Sequence, residues 1–287
     1  EECGRVVAAA PFLAAGAAVA WLLAQAGDPA GALAKVAAGE TIAALAFAEG
    51  PVLTPAAPQA RFENGKLTGA KTAVLGAAAA DLAVVLASDA SGRAVLASVE
   101  LAGPDVTRKT LDTIDNSRCL ADLTFENTPA VLLAGDGAVL AQGALDRLAL
   151  HLSAEGVGGA DACIAASVGY ANERQAFGQA IGKFQAVKHA IAEMYVLNEM
   201  ARASVLDAAV RLDQSDPTAR TYIAAARLNA VQAYENAAAA STQVHGGIGV
   251  TWEADLHLHY RRSRAIAVEA GAPAFWEDLI ASELVAQ

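Results

Sequence analysis

From Phe184 to Asp213, apolar residues recur at three- and four-residue steps along two separate stripes. Val187, Ile191, Met194, Ala201, Val205, Ala208 and Leu212 form one, and Val196, Met200, Ala203 and Val210 mark the other. A helix that is apolar on two faces is buried on two sides, so this segment belongs in a helical bundle or where chains meet. The helical pattern continues on either side, and long helices are expected over about 144–173, 184–213, 217–244, 252–268 and 273–285. Asp216-Pro217 reads as an N-cap followed by a first-turn proline. Gly246-Gly247 closes the third helix with residues that tolerate left-handed backbone angles.

The texture differs upstream. From Glu1 to about Phe47 the reading is helical with no β pattern, and Asp28-Pro29 suits the start of a segment ending near Gly39. Between Pro51 and Gln142, β-branched alternation and turn dipeptides take over. Asn64-Gly65 inside Arg61 to Leu67 is a hairpin signal, and the apolar runs 82–87 and 94–99 flank a second turn at Asp89-Ala90-Ser91-Gly92. Further strands are expected near 120–125 and 130–133, sized together for a small antiparallel barrel or sandwich. The expected fold is therefore α+β and mostly α: an N-terminal helical segment (1–47), a small antiparallel β domain (48–142) and a C-terminal helical bundle (143–287).

Composition excludes several classes. A hydrophobic fraction of 55% with only 5% aromatic residues describes alanine-rich helices packed through small side chains. A net charge of -11 argues against nucleic acid or an anionic membrane as partner, because phosphate backbones need a cationic face. The cysteines, Cys3, Cys119 and Cys163, are far apart and lack metal-ligand spacing, so no disulfide framework and no metal site are expected, and a reducing cytoplasm is the expected compartment. Val6 to Gly27 carries no charge, but Pro11 and Gly16 interrupt it, and two short buried helices fit better than a membrane span.

Two strings carry chemistry. Glu173-Arg174-Gln175-Ala176-Phe177-Gly178, followed by Ile181-Gly182-Lys183-Phe184-Gln185, is a turn between two long helices that sets a guanidinium, an aromatic ring and an amide side by side. Such a set can bind a phosphate and stack on a planar group, although alone it also suits a solvated turn with an apolar plug. Gln243-Val244-His245-Gly246-Gly247-Ile248-Gly249-Val250-Thr251 lets a ligand approach the backbone, but glycines at a helix C-terminus are common, and His245 could simply complement the helix dipole.

As a pair at two successive helix ends, these strings resemble the signature of the acyl-CoA dehydrogenase family, and the order helices, β domain, helices agrees. The resemblance implies FAD as cofactor. It places Arg174, Phe177, Gln185, Gln243, Gly246 and Gly247 on the ADP part of FAD, across a subunit interface in the partner's site. Ala176 departs from the pattern, where many members carry a hydroxyl; one neutral hydrogen bond is worth about 1 kcal/mol.

The remaining family motifs are poorly kept. The segment that touches the flavin ring and substrate is reduced to Phe47-Ala48-Glu49-Gly50, and the strand after Gly69-Ala70-Lys71 reads Thr72-Ala73-Val74-Leu75, without the family's polar ring contacts. Ala270 stands where the common catalytic glutamate belongs and Leu148 where an alternative base sits, and neither side chain can abstract a proton. Glu269 is the low-ranking substitute, about 100° around a helix from that position unless the helix has ended, and Glu155 is another. His257 and His259 point apart on a helix, and Arg261, Arg262 and Arg264 suggest an interface or phosphate-facing patch.

This pattern resembles the base-lacking subunit of bacterial α2β2 dehydrogenases that shorten steroid side chains as CoA thioesters. The resemblance implies a chain that donates the ADP-binding half of an FAD site to an unlike catalytic subunit, with no catalytic residue of its own. An acyl-CoA substrate and an electron-transfer acceptor would complete its partners. The alternatives are a self-sufficient homomeric dehydrogenase using Glu269 and a non-redox scaffold on the same fold. The family has further helical sequence before the point matching Glu1 to Arg5, so a missing or separately encoded N-terminal portion is expected.

Overall fold

The computed structural model describes residues 1–10, 13–54 and 56–285. In chain order come α1 (Glu2–Arg5), a π-helical stretch (Leu13–Val19) running into α2 (Ala20–Gln25), and α3 (Leu33–Ala37). Strands follow as β1 (Ala43–Ala46), β2 (Arg61–Glu63), β3 (Lys66–Val74), β4 (Leu82–Ser88), β5 (Ala94–Glu100), β6 (Val106–Thr110), β7 (Ala121–Pro129) and β8 (Val131–Leu132). Then come α4 (Gly137–Glu173), the short strands β9 (Gln175–Ala176) and β10 (Gln179–Ala180), α5 (Gln185–Asp213), α6 (Ala219–His245), α7 (Leu256–Val268) and α8 (Pro273–Val285). The chain divides into two compact units, residues 9–148 and residues 1–8 with 149–287.

The first unit is built on one sheet of order β6-β7-β3-β2-β4-β5-β8, with β1 added parallel to β4. Both expected hairpins form. Asn64 and Gly65 have φ of 51° and 75°, the two positive angles of the tight turn that matches strand twist. β4 is buried along its whole length, which is why it reads as an unbroken apolar run. One face carries a core of Ala44, Ala46, Leu67, Val74, Val85, Val99, Leu123 and Phe125.

Two expectations for the N-terminal segment are corrected. Ala43-Ala44-Leu45-Ala46 forms a strand, because its neighbour β4 supplies a backbone edge that alanine, without a branched side chain, does not advertise. The third helix starts at Leu33 and not beside Pro29; Asp28, at φ 43°, reaches forward and accepts the N–H groups of Ala32 and Leu33 at 2.8 and 2.9 Å. The uncharged run holds the π-helical stretch and α2, with Leu22 and Leu23 fully buried; Pro11 lies outside the described residues. No helix among the described residues is long and apolar enough to cross a membrane.

The second unit is the helical bundle, whose helices end close to where expected; α4 begins earlier, at Gly137, α7 begins later, at Leu256, and α6 begins at Ala219 with Thr218 at its N-cap in place of Asp216. On α5 the two stripes separate: Met194, Ala201, Val205 and Ala208 are buried, whereas Val196, Met200 and Val210 are more than half exposed. Polar ties fix the helices. Asp161 on α4 accepts from Arg5, Arg202 and Asn198 at 2.8, 2.6 and 2.6 Å. Tyr234 on α6 and His259 on α7 meet at 3.0 Å, and burial, helped by the Arg262 charge, pushes the His259 imidazole down to about 4.

Candidate functional site

The turn after α4 is a two-residue hairpin. β9 and β10 pair antiparallel, and Phe177 and Gly178 between them have φ of 50° and 78°. A bulky residue in the left-handed region is strained, by about 1–2 kcal/mol. This one is also 96% exposed, with Phe184 edge-on at 6.1 Å as its one ring neighbour among the described residues. The hairpin thus presents an aromatic face to whatever lies outside the chain.

Arg174 is exposed and, among the described residues, its guanidinium has no ion-pair or hydrogen-bond partner. Its carbonyl accepts the N–H of Ile181 at 2.9 Å, which brings it back alongside the lead-in to α5. Gln185 is the first residue of that helix, exposed, and the preceding Phe184 makes no side-chain cap. The first-turn N–H groups of a 29-residue helix are therefore uncapped by a side chain, at the end that attracts anions.

The second string lies at the end of α6. Gln243, Gly246 and Gly247 are exposed, and a Cβ at either glycine would meet open space. Gly246 has φ 64° and ψ -135°, a conformation open essentially to glycine alone. At Gly249 the reason for glycine is packing, since a Cβ would lie 2.5 Å from the Thr242 carbonyl oxygen.

Tyr170, one helical turn before Arg174, stacks on His245, immediately before Gly246, with ring centroids 4.3 Å apart and planes at 26°. Both motifs are thereby held at one corner of the bundle. Neither ring stands out in the sequence; the only signal is an aromatic residue one turn before one motif and another ring adjoining the second. The set suits a dinucleotide's ADP portion: a free guanidinium and helix N–H groups for phosphate, an exposed ring for a base, and glycine backbone open to close approach.

The segments matched to the flavin ring are different. Lys71, fully buried, donates to the Phe47 carbonyl at 3.1 Å and to Glu49 at 2.6 Å. Glu49 also accepts the N–H groups of Gln59 and Ala60 at 2.7 and 3.0 Å. Burial pushes the Lys71 amine below its ordinary value against the pull of Glu49. For Glu49 burial acts upward, but its hydrogen bonds outweigh it and hold the carboxyl low. Thr72 donates its N–H to the Ala48 carbonyl and its hydroxyl to that of Gly50. Ala73 sits at φ 48° in a bulge of β3, its N–H bonded to Asp122. The polar groups left in these segments are thus committed within the chain.

Position 270 carries alanine at φ 54°, 8% exposed, and Leu148 is buried. Glu269 lies beyond the end of α7 in extended backbone, so the helical offset from position 270 no longer applies. Its carboxylate oxygens are nevertheless buried, and its carbonyl accepts from the buried Arg227, which also bonds the Ile266 carbonyl. Glu155 is 2% exposed and paired with the fully buried Arg262 at 2.5 Å.

The expected arginine patch is corrected: Arg262 faces inward, Arg264 pairs with Glu235 at 2.6 Å, and Arg261 lies 4.9 Å over the Trp252 ring. On a helix, neighbours along the sequence face different ways. Among the described residues no group of three or more His, Cys, Asp or Glu side chains could hold a metal ion.

Comparison with known proteins matches residues 135–285 to the domain family described as acyl-CoA dehydrogenase, C-terminal domain. The acyl-CoA dehydrogenase IpdE2 of Mycobacterium tuberculosis is 35% identical over 267 residues, covering 93% of this chain and 70% of that protein. The acyl-CoA dehydrogenase FadE34 of the same organism is 34% identical over 242 residues, 84% of this chain but only 32% of the relative. Among solved structures, the butyryl-CoA dehydrogenase of Megasphaera elsdenii superposes with a TM-score of 0.86 at 23% identity, over 93% of this chain and 75% of that one. The steroid ACAD Tcur3481-Tcur3483 gives 0.88 at 24% identity, over 99% and 80%. At these identities the structures establish a common fold.

Proposed function

Because the chain belongs to the acyl-CoA dehydrogenase family, whose members are FAD flavoproteins, we propose that it is the ADP-binding subunit of a heteromeric acyl-CoA dehydrogenase. The observation that carries this reading is the difference in availability of polar groups. Among the described residues the side chains of Arg174 and Gln185 have no polar partner and the space beside Gly246 and Gly247 is open, whereas Glu49, Lys71 and Thr72 are consumed within the chain.

When bound, FAD supplies the two-electron acceptor for α,β-dehydrogenation of a CoA thioester. Arg174 and the uncapped start of α5 hold the pyrophosphate, Phe177 covers the adenine, and Gly246-Gly247 let the nucleotide lie against main chain. Since Ala270 and Leu148 offer only hydrocarbon, the α-proton has to leave to a carboxylate of the unlike subunit. A steroid-derived CoA thioester is the substrate class to test first, because the α2β2 assemblies that this chain resembles act on it. The exposed stripe of α5 supplies apolar surface for association.

Stoichiometry tests the reading. Co-expressed with an unlike acyl-CoA dehydrogenase subunit, the complex is expected to hold half as many FAD as it has chains, by native mass and flavin absorbance on one sample. One flavin per chain would establish a homomer-like site, and a colourless complex would leave the scaffold reading. The chain alone is expected not to reduce a dye acceptor with any acyl-CoA; turnover that disappears in Glu269→Gln would establish the self-sufficient reading.

A further inference from the structure

Each half of the ADP-binding corner is locked to its own helix end. Gly182, just past the hairpin, packs so closely that a Cβ there would lie 3.0 Å from the Ala171 carbonyl oxygen in the last turn of α4. The backbone after α6 is held equally tightly, through Gly249 against the Thr242 carbonyl. The spacing between the halves is then set by what joins the two helix ends, and the Tyr170–His245 stack does so.

His245 is fixed on its other side as well. Its Nδ1 lies 2.8 Å from the Ser241 carbonyl oxygen, and since a carbonyl only accepts, the ring proton sits on Nδ1. A hydrogen bond back into its own helix and a ring stack on a second helix leave the imidazole little rotational freedom. Such a restraint is more than packing needs at a partly buried position, where an apolar side chain such as leucine would fill similar space.

We infer that Tyr170 and His245 are positioning residues for the ADP portion of FAD, setting the distance between Arg174 with Phe177 on one side and Gly246-Gly247 on the other. The inference rests on the half-site reading and adds the pair that neither motif contains. Neither ring touches the nucleotide in this account; their effect passes through the corner's geometry. A ligand held by both halves loses affinity when the halves drift, even though every contacting group remains.

The test uses the full chain with ADP as probe, titrated calorimetrically. Tyr170→Ala and His245→Ala are each expected to weaken ADP by roughly 3- to 10-fold, the range of one aromatic pair, and the double variant no further than the worse single. Tyr170→Phe and His245→Phe keep a stacked ring and are expected to bind within about twofold of the unaltered chain. A merely structural role would show as lost helicity and melting temperature with no rescue of affinity by phenylalanine. Alanine variants that fold and bind ADP normally, while Arg174→Ala is weakened, would overturn this inference and leave the half-site standing. An unaltered chain without affinity for ADP, or one indifferent to Arg174→Ala, would overturn the half-site and this inference with it.

Discussion

The corner at the ends of α4 and α6 and the segments around β1 and β3 both match cofactor-binding motifs of one family, yet they use their polar groups in opposite ways. At the corner a guanidinium, an amide, helix N–H groups and an aromatic ring face outward, and one residue tolerates an unfavourable φ to do so. Around β3 the ammonium of Lys71 is fully buried and the carboxylate of Glu49 accepts from three donors, all in this chain. Binding sites keep unsatisfied groups at some cost in stability, whereas relics of a site are free to satisfy them. On the function proposed above, the difference separates a region that needs a ligand from one that serves as scaffold.

That division is open to attack from both sides. The largest effect is expected at Lys71. Lys71→Ala leaves the Glu49 carboxylate without its cation in a buried setting, which costs about 3–5 kcal/mol. Denaturant unfolding should show that loss while ADP affinity of the folded chain stays unchanged; an affinity falling in step with stability would mean that the segment still serves the cofactor.

Acid should weaken the helical unit first. His259, at about 4 in the folded chain against an ordinary 6.5, leaves the folded state unprotonated while the unfolded state takes up a proton. Its contribution is therefore fully present above pH 6.5 and lost as the pH falls toward 4, up to about 3 kcal/mol. Glu49, held low, keeps its contribution until the pH drops below the ordinary carboxylate range. Hydrogen exchange corrected for intrinsic rates should show protection of α6 and α7 declining between pH 6.5 and 4 and that decline vanishing in His259→Gln.

Arg174→Ala is expected to weaken FAD retention by roughly 10- to 150-fold, the value of a charge-assisted contact of about 1.5–3 kcal/mol, with little change in melting. Unchanged flavin content after dilution and gel filtration would remove the residue from the site. The smallest effect divides function from stability at one position. Phe177→Gly relieves the left-handed strain and is expected to stabilise the fold by about 1 kcal/mol while weakening ADP. If it destabilises instead, the ring has a packing role in the chain itself.

How much of this was legible in the sequence depended on how local the cause was. The hairpins at Asn64-Gly65 and Asp89 to Gly92 were readable because two or four residues dictate a turn, and α5 was readable from its period. β1 was not, since alanine takes its strand conformation from β4, distant in sequence. The exposed residues of the corner were visible as motifs, but the Tyr170–His245 stack depends on two helix ends meeting, and no spacing in the chain reports that. The Lys71–Glu49 pair was hidden similarly: each residue looked like a remnant of a motif, and only the fold makes them partners. Arg262 shows the converse error, a charge cluster read as surface whose central member is buried against Glu155.

The outward stripe of α5, with Val196, Met200, Leu206 and Val210 each more than half exposed, has a consequence in the cell. Until it is covered, a contiguous apolar face of this kind invites self-association and draws chaperones and proteases. A copy made in excess of whatever covers that face would be an orphan marked for removal. Synthesis of the two would then have to be matched, by shared transcription or by degradation of the surplus, and the amount of the scarcer one would set how much of this chain persists.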